Sequence, residues 1–206
     1  MSALYIFDLI GTFAFALSGA LLGARKKMDI YGMFILALAT GVGGGTIRDM
    51  MLGRIPPFVF KDILYLVDVI LATLLVVFLY RRVRRGAKLL NIADAVGLGV
   101  FTCIGASIAS EAGCSWYGVV LFGVITATVG GMVRDVLAHE VPFVLQKEVY
   151  ASASVAGGLM FIAFDNMGIN LDINIFVTSA FVTLIRVVSI YRGWNLPKIF
   201  IKGRHQ

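Results

Sequence analysis

The stretch from Thr40 to Met50 reads T-G-V-G-G-G-T-I-R-D-M and sits inside an apolar run, Ile30 to Leu52, long enough to cross a bilayer. Three consecutive glycines, Gly43, Gly44 and Gly45, strip the side chains that shield a helix backbone, and Arg48-Asp49 follows them. Each ionised side chain near the bilayer centre costs about 2.5–3.5 kcal/mol on insertion scales, so apolar residues would cross more cheaply. The pattern predicts a membrane helix broken for a purpose. A second copy, Thr126 to Val136, reads T-A-T-V-G-G-M-V-R-D-V, with Gly130-Gly131 and Arg134-Asp135 in the matching places. Two broken helices at corresponding positions in two halves point to a transport site near the midplane.

Working outward, the 206 residues are 59% hydrophobic and 15% charged, with mean hydropathy +0.91. This composition is that of an integral membrane protein with almost no extramembrane domain. The net charge of +6 is gathered in Arg25 to Lys27, Arg81 to Lys88 and the tail after Tyr191. Short basic loops between apolar spans are orientation signals rather than a nucleic-acid surface. Seven spans are expected: Leu4–Ala24, Ile30–Leu52, Lys61–Tyr80, Asn91–Ser110, Trp116–Ala138, Lys147–Phe164 and Ile173–Tyr191. Solid apolar runs require helices, because a closed barrel would alternate in polarity. Placing the N-terminus outside and the C-terminus in the cytoplasm brings all three basic clusters inside. The N-terminus has no basic leader and no A-x-A cleavage site, so its first span is expected to be retained. Cys103 and Cys114 have no metal-ligand spacing and are read as free thiols.

Sliding the chain against itself by 86 residues aligns Asp8 with Asp94, Gly11 with Gly97, Phe15 with Phe101 and Gly19 with Gly105. The same shift matches Arg48-Asp49 with Arg134-Asp135, Pro56 with Pro142, Lys61 with Lys147 and Asp62 with Glu148. Each copy holds three spans, an odd number, so the second enters the membrane from the opposite side. The expected organisation is a three-helix repeat over 1–86, its inverted copy over 87–170, a seventh helix over 171–191 and a basic cytoplasmic tail over 192–206.

These features together resemble the trimeric intracellular cation (TRIC) channel family in a bacterial version. The residues that carry the resemblance are G-G-G-T-I-R-D in the second span, G-G-M-V-R-D in the fifth and Lys147-Glu148-Val149 at the head of the sixth. The resemblance covers nearly the whole chain. It implies a homotrimer in the bacterial inner membrane, with one K⁺- and Na⁺-conducting pore per subunit and with helices 2 and 5 kinked at their glycines. It also implies a lipid site near the Lys-Glu-Val motif; the second copy carries Val129 where a third glycine would stand.

The polar residues take candidate roles from their positions. Gly43, Gly44, Gly45, Gly130 and Gly131 would free backbone carbonyls that replace part of a cation's hydration shell, with Thr46 as a pore hydroxyl. Close helix crossing is the alternative use of Gly41-x-x-x-Gly45, while Gly19-x-x-x-Gly23 is read either as packing inside the bundle or as a contact between subunits. An uncompensated guanidinium would repel K⁺, so Arg48 and Arg134 are expected to be clamps that pair with carboxylates. Adjacent residues on a helix do not face each other, so the favoured partners lie on another helix, with Asp49, Asp68 and Asp135 as candidates. Lys61 and Lys147 stand at opposite mouths, as snorkelling anchors, gates or ligands of a lipid phosphate, with Glu148 beside the second. Asp8 and Asp94 lie close to an interface, where wetting suffices to explain them.

Three functions follow in order. A passive monovalent-cation channel leads. A secondary transporter of a small amino acid such as glycine comes second, since broken inverted helices equally signal alternating access and an arginine could hold a substrate carboxylate. An intramembrane enzyme ranks last, because the two histidines, His139 and His205, fall in a loop and the tail, with no nucleophile and positioned base. No cofactor is expected beyond the permeant ion and bound lipid.

Overall fold

The computed structural model describes residues 3–79, 86–146 and 149–193, and every regular element in them is helical. In chain order these are α1 (Ala3–Arg25), α2 (Ile30–Met51), a single 3₁₀ turn (Phe58–Phe60), α3 (Leu64–Leu79), α4 (Gly86–Glu111), α5 (Trp116–Leu137), the one-turn α6 (Phe143–Gln146), α7 (Ala151–Asn166) and α8 (Leu171–Arg192). Five of them, α1, α2, α4, α5 and α8, are long and apolar enough to cross a bilayer. Two others, α3 and α7, have 16 residues each. The molecule is an all-α membrane-spanning bundle.

Local chemistry sets the helix ends. Asp29 caps α2, its Oδ1 accepting the Gly32 N–H at 2.7 Å, and Asn170 caps α8 by accepting the Asp172 N–H. Gly193 closes α8 in the left-handed conformation, φ 63°. Three expected starts move by three residues or more, the fourth span beginning at Gly86 rather than Asn91. The third span begins at Leu64 rather than Lys61, because Asp62 Oδ1 accepts the Leu64 N–H and caps the helix there. The sixth begins at Ala151, since the chain first forms α6 after Pro142 and then turns through Val149-Tyr150.

At the centre, α1 and α4 pack on each other through two phenylalanines. The Phe15 and Phe101 rings stand 5.1 Å apart, both buried. Each ring fills the place where the opposite helix has glycine: a Cβ on Gly97 would enter the Phe15 ring, and one on Gly11 would stand 3.2 Å from Phe101. Lipid is as apolar as Leu, so association between membrane helices depends on such van der Waals fit and small residues. The same physics decides the Gly19-x-x-x-Gly23 face. A Cβ on Gly19 would lie 2.7 Å from the Leu36 carbonyl and one on Gly23 3.1 Å from Met33 Cα, so this face is the α1–α2 contact within the chain. Cys103 is buried, and both thiols are free.

Candidate functional site

Helices α2 and α5 meet where the glycines stand. A Cβ on Gly44 would collide with the Thr126 carbonyl, and one on Gly130 with the Thr40 carbonyl. Gly43 lies opposite Gly130 with more room, its nearest neighbour being the Gly130 Cα at 3.9 Å from a would-be Cβ. Both helices run uninterrupted through these positions. The expected break is therefore absent from this conformation; in a low-dielectric bundle an intact ladder avoids unpaired amides and carbonyls, each costly to bury. Thr46 follows the same economy and donates to the Val42 carbonyl at 2.8 Å, as Thr40 does to Leu36 and Thr126 to Phe122.

On either side of this crossing stands a buried ionic cluster. In the first, Arg48 donates from Nε (3.0 Å) and Nη2 (2.9 Å) to Asp49 Oδ1. The other carboxylate oxygen of Asp49 accepts the Phe58 N–H at 2.9 Å, which ties the returning loop to the end of α2. The Arg48 guanidinium lies 5.6 Å over the Phe58 ring. Phe58 meets Tyr65 edge-on at 4.5 Å, and the Tyr65 hydroxyl donates to Asp8 Oδ2 at 2.8 Å. The second cluster repeats the design. Arg134 Nε donates to Asp135 Oδ1 (2.8 Å), Asp135 Oδ2 accepts the Phe143 N–H (2.8 Å), and the guanidinium lies 4.9 Å over the Phe143 ring. Here Tyr150 donates to Asp94 Oδ1 at 3.3 Å.

The second cluster is closed further than the first. Arg134 Nη1 reaches Asp94 Oδ1 at 2.7 Å and Ser18 Oγ at 2.9 Å, with both charged side chains fully buried. Arg186 of α8 adds a further guanidinium, 4.9 Å over the Tyr150 ring, and donates to Ser189 Oγ. No ion pair joins the corresponding Asp8 and Arg48 among the described residues.

Several expectations change on these contacts. Arg48 and Arg134 do pair with carboxylates: Arg48 with its own neighbour Asp49, and Arg134 both with its neighbour Asp135 and with a partner on another helix, Asp94 of α4. The objection that adjacent residues diverge holds for Cβ directions and not for a long guanidinium stem that folds back near a helix end. Asp68 partners neither arginine. It is half-buried in an apolar groove of about 510 Å³ between α1, α3 and α4, beside Phe13 and Leu89. Lys61 is exposed; Lys147 and Glu148 lie outside the described residues. The equivalence of Lys61 with Lys147 and of Asp62 with Glu148 falls partly outside the described residues. Phe58 and Phe143, like Tyr65 and Tyr150, are spaced by 85, so the register slips by one residue beyond the Arg-Asp pairs.

Asp8 and Asp94 are core members of the clusters rather than wetted interface residues, with 6% and 0% exposure. Sequence reasoning missed Tyr65, Tyr150, Phe58, Phe143 and Arg186. A signal existed in the near-constant spacing from Asp8 to Tyr65 and from Asp94 to Tyr150, hidden from an ungapped comparison by the slip. Where the clusters face the loops, Lys26 and Glu140 form a half-exposed ion pair at 2.9 Å between the α1–α2 and α5–α6 connections. No group of three or more His, Cys, Asp or Glu able to hold a metal is found among the described residues.

A family model described as Glycine transporter matches the chain twice, over residues 5–81 and 91–166. Among curated relatives, a UPF0126 membrane protein of Vibrio cholerae is 47% identical over 159 residues, 77% of this chain and 66% of its own length. The UPF0126 inner membrane protein YadS of Escherichia coli is 40% identical over 195 residues, 94% of each chain. Among solved structures, the TRIC trimeric intracellular cation channel orthologue from Rhodobacter sphaeroides superposes with TM-score 0.90 at 34% identity, covering 94% of this chain and 100% of that one.

Proposed function

Since the chain belongs to the family described as Glycine transporter, is related throughout to UPF0126 membrane proteins and is a structural homologue of bacterial TRIC channels, we propose that it is a monovalent-cation channel. The near-complete superposition on the Rhodobacter orthologue carries this reading. In it the chain forms a homotrimer in the bacterial inner membrane, N-terminus outside, each subunit crossing seven times as two inverted three-helix repeats plus α8. K⁺ and Na⁺ pass between α2 and α5.

The geometry supports a specific mechanism. The α2–α5 contact at Gly43, Gly44 and Gly130 is the closed state of the path, because two backbones in contact leave no room for an ion; Gly45 and Gly131 face Phe58 and Tyr150 in the ionic clusters. Opening bends the helices at these glycines, where no side chain resists, and exposes carbonyls and the Thr46 hydroxyl to the ion. The Arg48-Asp49 and Arg134-Asp135 pairs keep each arginine neutralised and anchor the loops, so bending is confined to the glycines. Lys61 at one mouth and Lys147-Glu148 at the other engage lipid phosphates or gate the path; Asp68 contacts lipid or a neighbouring subunit from its groove.

A second reading, glycine transport, is favoured by the family description. The two separate in proteoliposomes. The channel reading predicts rapid, non-saturating K⁺ efflux without glycine accumulation, and Gly44→Ala should slow it by locking or spoiling the crossing. Saturable uptake of labelled glycine with no K⁺ conductance would overturn the channel in favour of the transporter.

A further inference from the structure

Helices α2 and α5 run antiparallel through their crossing, since Gly44 meets the Thr126 carbonyl while Gly130, further along α5, meets the carbonyl of Thr40, earlier on α2. The start of α2 and the end of α5 therefore share one end of the path, and the end of α2 and the start of α5 share the other. At the first of these ends an ion pair spans the two halves of the chain. Lys26 Nζ, just before α2, stands 2.9 Å from Glu140 Oε1, just after α5, and both side chains are about one-third exposed.

The repeat supplies a comparison inside the same molecule. Glu140 follows the left-handed His139 (φ 54°), and its N–H donates to the Asp135 carbonyl at 2.8 Å. Arg54 follows the left-handed Gly53 (φ 71°) and donates to the Asp49 carbonyl at 2.8 Å, so it holds the equivalent backbone place at the opposite end. Lys26 precedes the left-handed Lys27, and the Met28 N–H closes that turn on the Gly23 carbonyl at 3.0 Å. Ala112 precedes Gly113, and the Cys114 N–H closes the same turn on the Ala109 carbonyl at 3.0 Å. Where one end sets lysine against glutamate, the other sets alanine against arginine. Glu111 adjoins Ala112, yet no ion pair joins it to Arg54 among the described residues.

We infer that Lys26 and Glu140 form a latch that holds the α2–α5 path shut at the end where α2 begins, and that the opposite end has no such latch. The inference rests on the channel reading above and deepens it. When α2 and α5 bend at their glycines, the segments 30–43 and 131–137 swing as arms on one side of the crossing. A tie between Lys26 and Glu140 keeps these two arms together and leaves those on the other side free. An exposed pair shifts an equilibrium by up to about fivefold, which biases a two-state gate toward closure without forbidding spontaneous opening.

Single-channel recording from the full chain in planar bilayers with asymmetric KCl tests the latch. Lys26→Ala should raise the open probability by up to about fivefold with unit conductance unchanged. Lys26→Glu and Glu140→Lys each set like charges against one another and should raise it further. These two reversals change the local charge in opposite senses, so an effect on ion concentration at the mouth would drive them apart, whereas loss of the latch drives both the same way. Combining them restores an opposite-charge pair and should return the wild-type value. At the other end, Ala112→Glu gives Arg54 a partner and should lower the open probability severalfold. Lys26→Cys with Glu140→Cys, in a Cys114→Ser background and joined by a reducible thiol cross-linker, should suppress the current until reductant is added. Opposite effects of the two reversals, no rescue in the double reversal, or an undiminished current after cross-linking overturns the latch while the channel reading stands. Silence from folded wild type and from every folded variant overturns both, and silence relieved by a single reversal supports the latch. If a reversal variant does not fold, the cross-linked protein decides: suppression undone by reductant supports the latch, and an unaffected current overturns it.

Discussion

At the residue scale, the buried arginines set the cost of every change around them. Arg134 is the only cation in direct ion-pair contact with Asp94 and Asp135 among the described residues, so Arg134→Ala leaves two buried carboxylates uncompensated. Breaking a buried pair in this way costs about 3–5 kcal/mol. Arg134→Ala should therefore lower Tm in detergent by more than Arg48→Ala, which strands one directly paired carboxylate. Lysine offers a point charge in place of a planar fork. Arg48→Lys should consequently reduce recovery of folded protein more than it alters ion selectivity, and a clean selectivity change in a fully folded variant would contradict the clamp role. The carboxylates of the Arg-Asp motifs were legible in sequence, but their partners were not. A rule about neighbouring Cβ atoms favoured partners on another helix, which holds for Arg134 with Asp94 but not for Arg48 with Asp49.

A second residue-scale case lies in the loop before α3. The Tyr5 hydroxyl, and then the Leu64 N–H, hold the Asp62 carboxyl below its ordinary value. A depressed carboxylate contributes stability above its unfolded pKa of about 4, and the contribution fades as pH falls through the lower folded value. The wild-type protein should keep this contribution from neutral pH down to about pH 5 and lose it in stronger acid, while Asp62→Asn should flatten that part of the curve. Thermal unfolding at stepped pH checks it.

At the scale of elements, the glycines divide into two kinds although all belong to the same motifs. Gly44 and Gly130 face carbonyls of the opposite helix, so Gly44→Ala or Gly130→Ala must push α2 and α5 apart, at about 1–3 kcal/mol. Gly43 has room for a methyl group. Gly43→Ala should fold as well as wild type or slightly better, since alanine is the better helix former by about 1 kcal/mol. If bending at Gly43 opens the path, the same variant should lower K⁺ flux while leaving Tm intact; unchanged flux would remove Gly43 from the hinge. The helix run, the small-residue faces and the duplicated motif were readable from hydropathy and an ungapped self-comparison. The unbroken helix was not, because glycine permits both a break and a close crossing, and packing across α2 and α5 chooses between them. The one-residue slip beyond the Arg-Asp pairs was equally hidden, since a loop absorbs an insertion that the flanking apolar residues do not register.

On the scale of the whole molecule, a chain of 206 residues holds two near-equivalent ionic clusters on either side of one glycine crossing, and α8 breaks the equivalence by bringing Arg186 to the second. The second cluster also holds the Asp94–Arg134 ion pair and the Arg134–Ser18 bond that the first lacks, so the two clusters differ electrostatically although the halves share one pattern. The Lys26–Glu140 pair joins connections from both halves at the end of the second cluster. Being half-exposed it contributes at most about 1 kcal/mol, and Lys26→Ala should change Tm little. Composition and repeat pattern foretold the membrane bundle and its duplication; they could not foretell the asymmetry, in which Asp94 bonds Arg134 while Asp8 does not bond Arg48. The central claim is that this bundle conducts cations through the α2–α5 crossing, and the direct test is current across a planar bilayer containing the purified protein in asymmetric KCl. Unitary currents that reverse near the K⁺ equilibrium potential and diminish in Gly44→Ala are expected. Electrical silence from folded protein, or a reversal near the Cl⁻ potential, would contradict that claim.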